Sequence, residues 1–145
     1  NGVDSNYLNV VNNTFTNKLG MSLSNFPAII TLTNTPNSLV KNNIFYDPLT
    51  ISIWLDTSSK KGIDIGYNCT YRSDGRKPVG TPYPHDLWMV NPRFVDIANG
   101  DFHLQANSRL IGAGVTLSIV KNDFVGVSRP QGTGYDIGAY EYSAP

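Results

Sequence analysis

Val10-Val11-Asn12-Asn13-Thr14-Phe15 recurs thirty residues on as Val40-Lys41-Asn42-Asn43-Ile44-Phe45, and a weaker third copy, Ile65-Gly66-Tyr67-Asn68-Cys69-Thr70, follows 25 residues later. Two further apolar segments, Ala28-Ile29-Ile30-Thr31-Leu32 and Ile51-Ser52-Ile53-Trp54-Leu55, fall between the copies about one repeat apart. Each unit of roughly 20–30 residues therefore holds a strand, a turn, a second strand and a corner that carries Asn. A unit of that size buries its apolar face only by stacking on the next, as the coils of a solenoid do. The recurring Asn then has a mechanical use: an inward amide at a corner bonds the equivalent amide one coil away and so satisfies itself inside the stack. This spacing predicts that the three copies occupy equivalent corners of successive coils. Asn12 and Asn42, or Asn13 and Asn43, should lie one inter-strand spacing of about 5 Å apart, with Phe15 and Phe45 stacked inside.

Working outward, the composition agrees with a chain of short strands and tight turns. Asn is the outlier: 16 are present and 11 fall within the first 43 residues, and Asn tolerates left-handed backbone and bonds its own main chain in turns. No stretch shows a sustained helical period, and only Asn107–Ile111 has the makings of a single turn. An antiparallel sandwich also has short strands and Asn-rich turns, but it has no need of equivalent corners at a repeated spacing. The class expected is all-β. Three regions divide the chain: coils over 1–71, a long Pro/Gly-rich loop over 72–90, and a closing coil and cap over 91–145, together forming one continuous domain. The middle region holds three Pro and two Gly between Arg72 and Asn91, and long loops in compact domains usually cover or serve a site.

Charge and hydropathy exclude several functions. Lys plus Arg equals Asp plus Glu at 11 each, so the basic surplus of a nucleic-acid binder is missing. No apolar run reaches the roughly 18 residues of a membrane span. The single cysteine, Cys69, forms no intrachain disulfide; on an alternating strand it reads as a buried inert thiol, and neither His85 nor His103 stands in a recognisable nucleophile motif with it. The opening Asn1-Gly2-Val3-Asp4 reads like the middle of a longer chain.

From Asn91 the sequence resembles a known family. Asn91-Pro92-Arg93-Phe94-Val95-Asp96, Asn99-Gly100-Asp101-Phe102-His103-Leu104-Gln105, Ser108-Arg109-Leu110-Ile111-Gly112-Ala113-Gly114-Val115, Asp123-Phe124-Val125-Gly126, Arg129-Pro130 and Asp136-Ile137-Gly138-Ala139-Tyr140-Glu141 are similar to the closing region of bacterial right-handed parallel β-helix proteins of the pectate-lyase-like and chondroitinase-like kind. Arg109 and Gly112 depart from the family pattern, which commonly has Pro and Asp there. The resemblance implies a right-handed parallel β-helix fragment with C-terminal capping strands and loops. It also implies an extracellular or cell-surface place, polysaccharide as partner, and further β-helix coils, of the same or another chain, stacked upstream. Asp101–Gln105 alternates as a strand with Phe102 and Leu104 on one face, and Asp136–Tyr142 is expected to lay a last strand against the stack.

In lyase-like members of that fold a Lys or Arg removes a proton beside a uronate carboxylate that Ca²⁺ or another positive group neutralises. The weak catalytic candidates on this analogy are Lys61, Arg72 and Asp74, with Lys60, Arg76, Lys77, Asp56 and Asp64 as other groove charges; none stands in a family catalytic motif, and solvated loop charges explain them well. Asp74-Gly75 reads as a turn more readily than as a metal loop, because further carboxylates are missing; Asp123, Asp136 and Glu141 read as capping groups more readily than as a Ca²⁺ site. No cofactor is required. Aromatics carry the stronger hint: if Ile51, Ile53 and Leu55 face inward, Trp54 faces outward, and Tyr71, Tyr83 and Trp88 lie in or beside the long loop. The expectation is a polysaccharide-active or polysaccharide-binding β-helix with no evident catalytic site in this chain. The alternative is a non-enzymatic surface, adhesive or phage-associated structural β-helix.

Overall fold

The computed structural model describes residues 6–17 and 28–144; the Asn1–Asp4 opening lies outside them. Its described part is all-β, with one short 3₁₀ turn at Ile97–Asn99. Eleven strands run in chain order as β1 (Asn9–Val11), β2 (Thr14–Thr16), β3 (Ala28–Leu32), β4 (Leu39–Lys41), β5 (Ile44–Tyr46), β6 (Ile51–Leu55), β7 (Asp64–Gly66), β8 (Cys69–Tyr71), β9 (Leu87–Trp88), β10 (Phe94–Asp96) and β11 (Asp101–Leu104). The first nine form three parallel sheets, β1-β4-β7, β2-β5-β8-β9 and β3-β6, so the chain visits each sheet in turn and returns to the first. Each return is in register with the repeat: Val10 pairs Val40 and Val40 pairs Ile65, while Phe15 pairs Phe45 and Phe45 pairs Thr70. The three sequence copies therefore do occupy equivalent corners, and among the described residues no antiparallel hairpin joins them.

Each corner is built from two residues with different tasks. The first takes left-handed backbone: Asn12, Asn42, Tyr67 and His85 have φ of 54°, 58°, 58° and 63°. Asn suits that conformation because its side chain bonds locally. The second turns inward and bonds the next rung. Asn13 donates from its backbone N and its Nδ2 to Asn43 Oδ1 at 3.0 and 3.1 Å. Asn43 repeats the same pair of bonds to Asn68 Oδ1, both at 3.0 Å. At Gly66 the next rung comes so close that a Cβ would lie 2.3 Å from the Pro84 carbonyl oxygen, which only glycine permits.

The core has two parts. Between the three sheets, Val40, Phe45, Ile65, Ile30 and Leu32 pack with Phe15, Ile53 and Leu55, and the Phe15 and Phe45 rings stack at 5.4 Å with 7° between planes. On the outer face of the β2-β5-β8-β9 sheet, Ile44 and Cys69 are covered by Phe94, Leu104, Leu110 and Ile137. The C-terminal third thus lies along the flank of the sheet. It is fastened there by the outward amides of the repeat: Asn42 donates from Nδ2 to the Val115 carbonyl at 2.8 Å and accepts from Val115 N at 2.9 Å, and Asn12 donates from Nδ2 to the Asp136 carbonyl at 3.1 Å. β10 and β11 pair antiparallel, with Phe102 and Leu104 both on the covered face as the alternation requires.

Three expectations change. The stretch 72–90 is not loop throughout, because β9 pairs in parallel with β8, Leu87 opposite Cys69 and Trp88 opposite Thr70. Asp136–Tyr142 lays down no strand; its backbone is held by side chains, with Asp136 N donating to Glu141 Oε2 and Tyr142 N to Asp136 Oδ2, and by single backbone bonds such as Gly138 N to the Asn42 carbonyl at 2.8 Å. Asn107–Ile111 turns without helix, and the one 3₁₀ turn forms instead where Asp96 caps Asn99 N and Gly100 ends it at φ 81°. Phe45 has no solvent exposure, so Phe45→Ala is expected to cost about 3–5 kcal/mol in a denaturant titration; a loss below about 1 kcal/mol would place Phe45 outside the core.

Candidate functional site

The site begins where the Asn column stops. Asn68, the third rung, donates from its backbone N at 2.8 Å and its Nδ2 at 3.4 Å to Asp86 Oδ1. Asp86 is therefore the fourth rung, and Pro84-His85-Asp86-Leu87-Trp88 copies the path of Gly66-Tyr67-Asn68-Cys69-Thr70, with Leu87 N donating to the Asn68 carbonyl at 2.7 Å. A carboxylate ends the column well. It has acceptors on both oxygens and no N–H needing a partner beyond, and its Oδ2 takes the Tyr83 N–H at 2.9 Å. Burial raises the Asp86 pKa, against the lowering effect of the Asn68 and Tyr83 donors.

The fourth rung sets Trp88 in the inward column Phe15, Phe45, Thr70, Trp88. Thr70 is the small member. A cavity of about 210 Å³ lies beside this column, lined by Phe45, Thr70, Asp86 and Trp88, by Ile51–Ile53 of β6, and by Val79–Thr81 and Tyr83 of the loop. Ser52 Oγ and Trp88 Nε1, on two of the lining residues, are themselves fully buried and have no hydrogen-bond partner among the described residues. An unmet buried donor costs about 1–3 kcal/mol, and these two atoms are withdrawn from the cavity space rather than turned into it.

Of the aromatic candidates, Tyr83 and Trp88 meet at this cavity, and Trp54 and Tyr71 do not. Trp54 faces outward as the alternation requires, 39% exposed and in register with Thr31. Tyr71 is half-buried and tilts against Tyr46 at 5.6 Å. The charged candidates do not come together. Lys61 belongs to the exposed turn between β6 and β7, tied by its carbonyl to Asn37 N at 2.9 Å. Arg72 and Asp74 belong to the turn after β8, where Arg72 bonds the Pro48 carbonyl at 2.6 Å and is ion-paired with Asp74. The Asp74 oxygens also take the Arg76 backbone N–H at 3.0 Å and Nε at 2.9 Å. Its hydrogen bond from Arg72 holds the Asp74 carboxyl below the usual carboxylate range. Cys69 is fully buried, directs its thiol to the Val90 carbonyl at 3.3 Å, and has a pKa pushed far up by burial; it is an inert core thiol.

Asp123, Asp136 and Glu141 do meet, and their oxygens are occupied by protein donors. Asp123 takes the N–H groups of Val125, Val127 and Glu141. Glu141 pairs with Arg129 at 2.5 Å, both side chains buried. Asp136 takes the N–H groups of Gly112 at 2.7 Å and Tyr142 at 2.6 Å. Among the described residues no group of three or more His, Cys, Asp or Glu is placed to hold a metal ion. Sequence reasoning missed Asp86 and Ser52; the signal for Asp86 was its place two residues before Trp88 on a fourth copy of the corner, disguised by Pro84 and His85. It also missed a second hollow of about 530 Å³ rimmed by Phe15, Phe102, Phe124 and Tyr140, for which the separated residues give no signal.

No protein-family model matches the chain, and no curated protein and no solved structure matches it either.

Burial, helped by the neighbouring Glu141, raises the Asp136 carboxyl to about 6. The folded chain then holds that proton more tightly than the unfolded chain. Its contribution to stability is fully present below the unfolded pKa of about 3.9 and is lost as pH rises through about 6. A carboxyl-carbon NMR titration should show Asp136 protonating with a midpoint near 6; a midpoint under about 4 would contradict the assigned cause.

Proposed function

We propose that this chain is the C-terminal part of an extracellular or cell-surface right-handed parallel β-helix that binds polysaccharide and does not itself cleave it. The three parallel sheets visited in rotation, with their in-register Asn column, support the β-helix reading. The observation that carries the binding reading is the meeting of Tyr83 and Trp88 at one concave place, beside Ser52 and Asp86. Aromatic faces cover the apolar faces of sugar rings, while a few fixed polar groups take the hydroxyls. The separation of Lys61 from the Arg72–Asp74 pair supports the non-catalytic half. General acid–base work needs two groups within hydrogen-bond reach of one substrate, and Arg72 is spent on Asp74 and the Pro48 carbonyl. Trp54 and Tyr71 would extend contact with a polymer outside the cavity. Neither Ca²⁺ nor another cofactor has a part in this reading.

A structural or adhesive role is favoured by a different feature. Asn43 and Asn68 each accept two N–H groups on Oδ1 from the rung before, whereas no donor reaches Asn13 Oδ1 among the described residues. An Asn column of this kind continues naturally onto an upstream coil of the same or another chain.

The chain, assayed against pectic, alginate, glycosaminoglycan and neutral plant polymers, is expected to release neither unsaturated products nor reducing ends, and to bind at least one polymer on a glycan array. Trp54→Ala should weaken that binding several-fold. Turnover that disappears in Lys61→Ala or Arg72→Ala would overturn the non-catalytic half, and absence of binding to every polymer would leave the structural role.

A further inference from the structure

The stack is finished at one end and open at the other. Downstream, the Asn column stops on Asp86, whose carboxylate accepts from Asn68 and Tyr83 and whose backbone N bonds the Tyr83 carbonyl, so no donor faces onward. Upstream, β1, β2 and β3 are each the last strand of their sheet among the described residues. Alternate residues of a parallel strand bond opposite neighbours. Asn12 N and the Asn13 carbonyl already bond the second coil, so the peptide groups of Val11 and Thr14 point to the open side. Asn13 gives its backbone N and its Nδ2 to Asn43 and Val11. Its Oδ1, the atom that on Asn43 and Asn68 takes two N–H groups, takes none from the described residues. The apolar column loosens in the same direction: Val40 and Phe45 are fully buried, Val10 and Phe15 only half-buried.

The C-terminal third rises past that open end. Ile137 packs with Ile44, and one rung higher the Ala139 N–H reaches Thr14 Oγ1 at 3.1 Å. Tyr140 and Phe124 come next. Phe124 N bonds the Ala139 carbonyl at 2.9 Å, the two rings meet edge to face at 5.8 Å, and the His103 ring packs on Tyr140 at 4.1 Å. Between them and the first corner lies the hollow of about 530 Å³, with Val11–Phe15 as its floor and Phe102, Phe124 and Tyr140 as its wall. These groups have open surface: Phe124 is 77% exposed, and Asn13, Phe15, Phe102 and Tyr140 are half-buried. The hollow thus stands where one further corner of the stack belongs. A second copy of this chain does not complete it. Head to head, one Asn13 Oδ1 meets another; head to tail, it meets the Asp86 carboxylate; both oppose acceptor to acceptor.

We propose that this hollow seats one more β-coil, whose corner reads Asn-Asn-apolar-aromatic as Asn42-Asn43-Ile44-Phe45 does, and that Phe124 and Tyr140 clasp it. The second Asn supplies the two N–H groups for Asn13 Oδ1. The apolar residue faces Phe102, Phe124 and Tyr140, as Ile44 and Cys69 face Phe94, Leu104 and Leu110 on the rungs below. The aromatic one stacks on Phe15. The inference rests on the structural reading, in which the Asn column continues, and adds the partner's chemistry and the residues that hold it.

A copy of residues 36–63 serves as the probe. Leu8, Ser38 and Ile63 each precede the paired residues Asn9, Leu39 and Asp64, so the copy spliced directly ahead of Asn9 keeps register. The same segment is also added to the full chain as a free peptide. Amide exchange at Val11 and Thr14 is expected to slow by about tenfold or more in the spliced chain, and the free peptide to give saturable shifts of the Phe124 and Tyr140 ring signals. Phe124→Ala should leave the denaturation midpoint of the unextended chain in place and lower that of the spliced chain. It should also weaken the peptide about tenfold, as loss of an interface anchor does. Ile44→Asp made in the copy should have the same two effects. The inference is overturned if neither spliced coil nor peptide protects Val11 and Thr14, if Phe124→Ala moves both chains alike, or if a glycan rather than the peptide shifts the Phe124 and Tyr140 signals. Protection that does not depend on Phe124 sinks the clasp and leaves the structural reading standing; absence of protection sinks both.

Discussion

The inward amide at each corner is the contact on which the rest of this structure depends. A chain that turns between sheets at short intervals brings peptide groups into the interior, where an unmet N–H costs about 1–3 kcal/mol. Asn13, Asn43 and Asn68 solve this in one way: the backbone N and Nδ2 of each rung both reach the side-chain oxygen of the next. Because the bonds run between rungs, they fix register as well as satisfying the corner, and register decides which side chains face in. The Phe15–Phe45 stack and the Val10, Val40, Ile65 column follow from it.

The same column explains why the molecule has a site where it does. A donor chain that runs in one direction ends best on a group that only accepts, and Asp86 is that group. Its position brings Trp88 under Thr70. Phe45 and Thr70 themselves stay packed with almost no exposure, and the cavity lies beside them against Val79–Thr81 and Tyr83 of the loop. The outward residues of the corner have a separate task. Asn12 and Asn42 hold the C-terminal third on the flank, where Phe94, Leu104, Leu110 and Ile137 cover Ile44 and Cys69.

The electrostatics divide in the same manner. On the exposed turn after β8, Arg72, Asp74 and Arg76 satisfy one another in solvent, where such pairs contribute at most about 1 kcal/mol. In the C-terminal third, Arg129 and Glu141 are buried with Asp136. There the pair organises the irregular backbone that ordinary strand pairing does not reach, with Arg129 bonding the carbonyls of Asp136 and Gly138.

The sequence by itself determined the all-β class, the three equivalent corners, the burial of Phe45 and Cys69, and the outward face of Trp54. These follow from residues a fixed interval apart, and a period in sequence becomes a spacing in space whenever units stack. It also marked Trp54, Tyr71, Tyr83 and Trp88 as aromatics worth attention; that only Tyr83 and Trp88 of these share a cavity came from the tertiary structure. Only the tertiary structure decided that Asp86 is the fourth rung, because Pro84 and His85 hide the corner and a carboxylate there does not look like Asn until its donors are seen. Only the tertiary structure separated Lys61 from Arg72 and Asp74, since distance along the chain says nothing about which corner of the stack a charge occupies. The cavity beside Thr70 could not be read in advance for the same reason: its lining comes from β5, β6, β8, β9 and the loop between β8 and β9, segments that only the fold brings together.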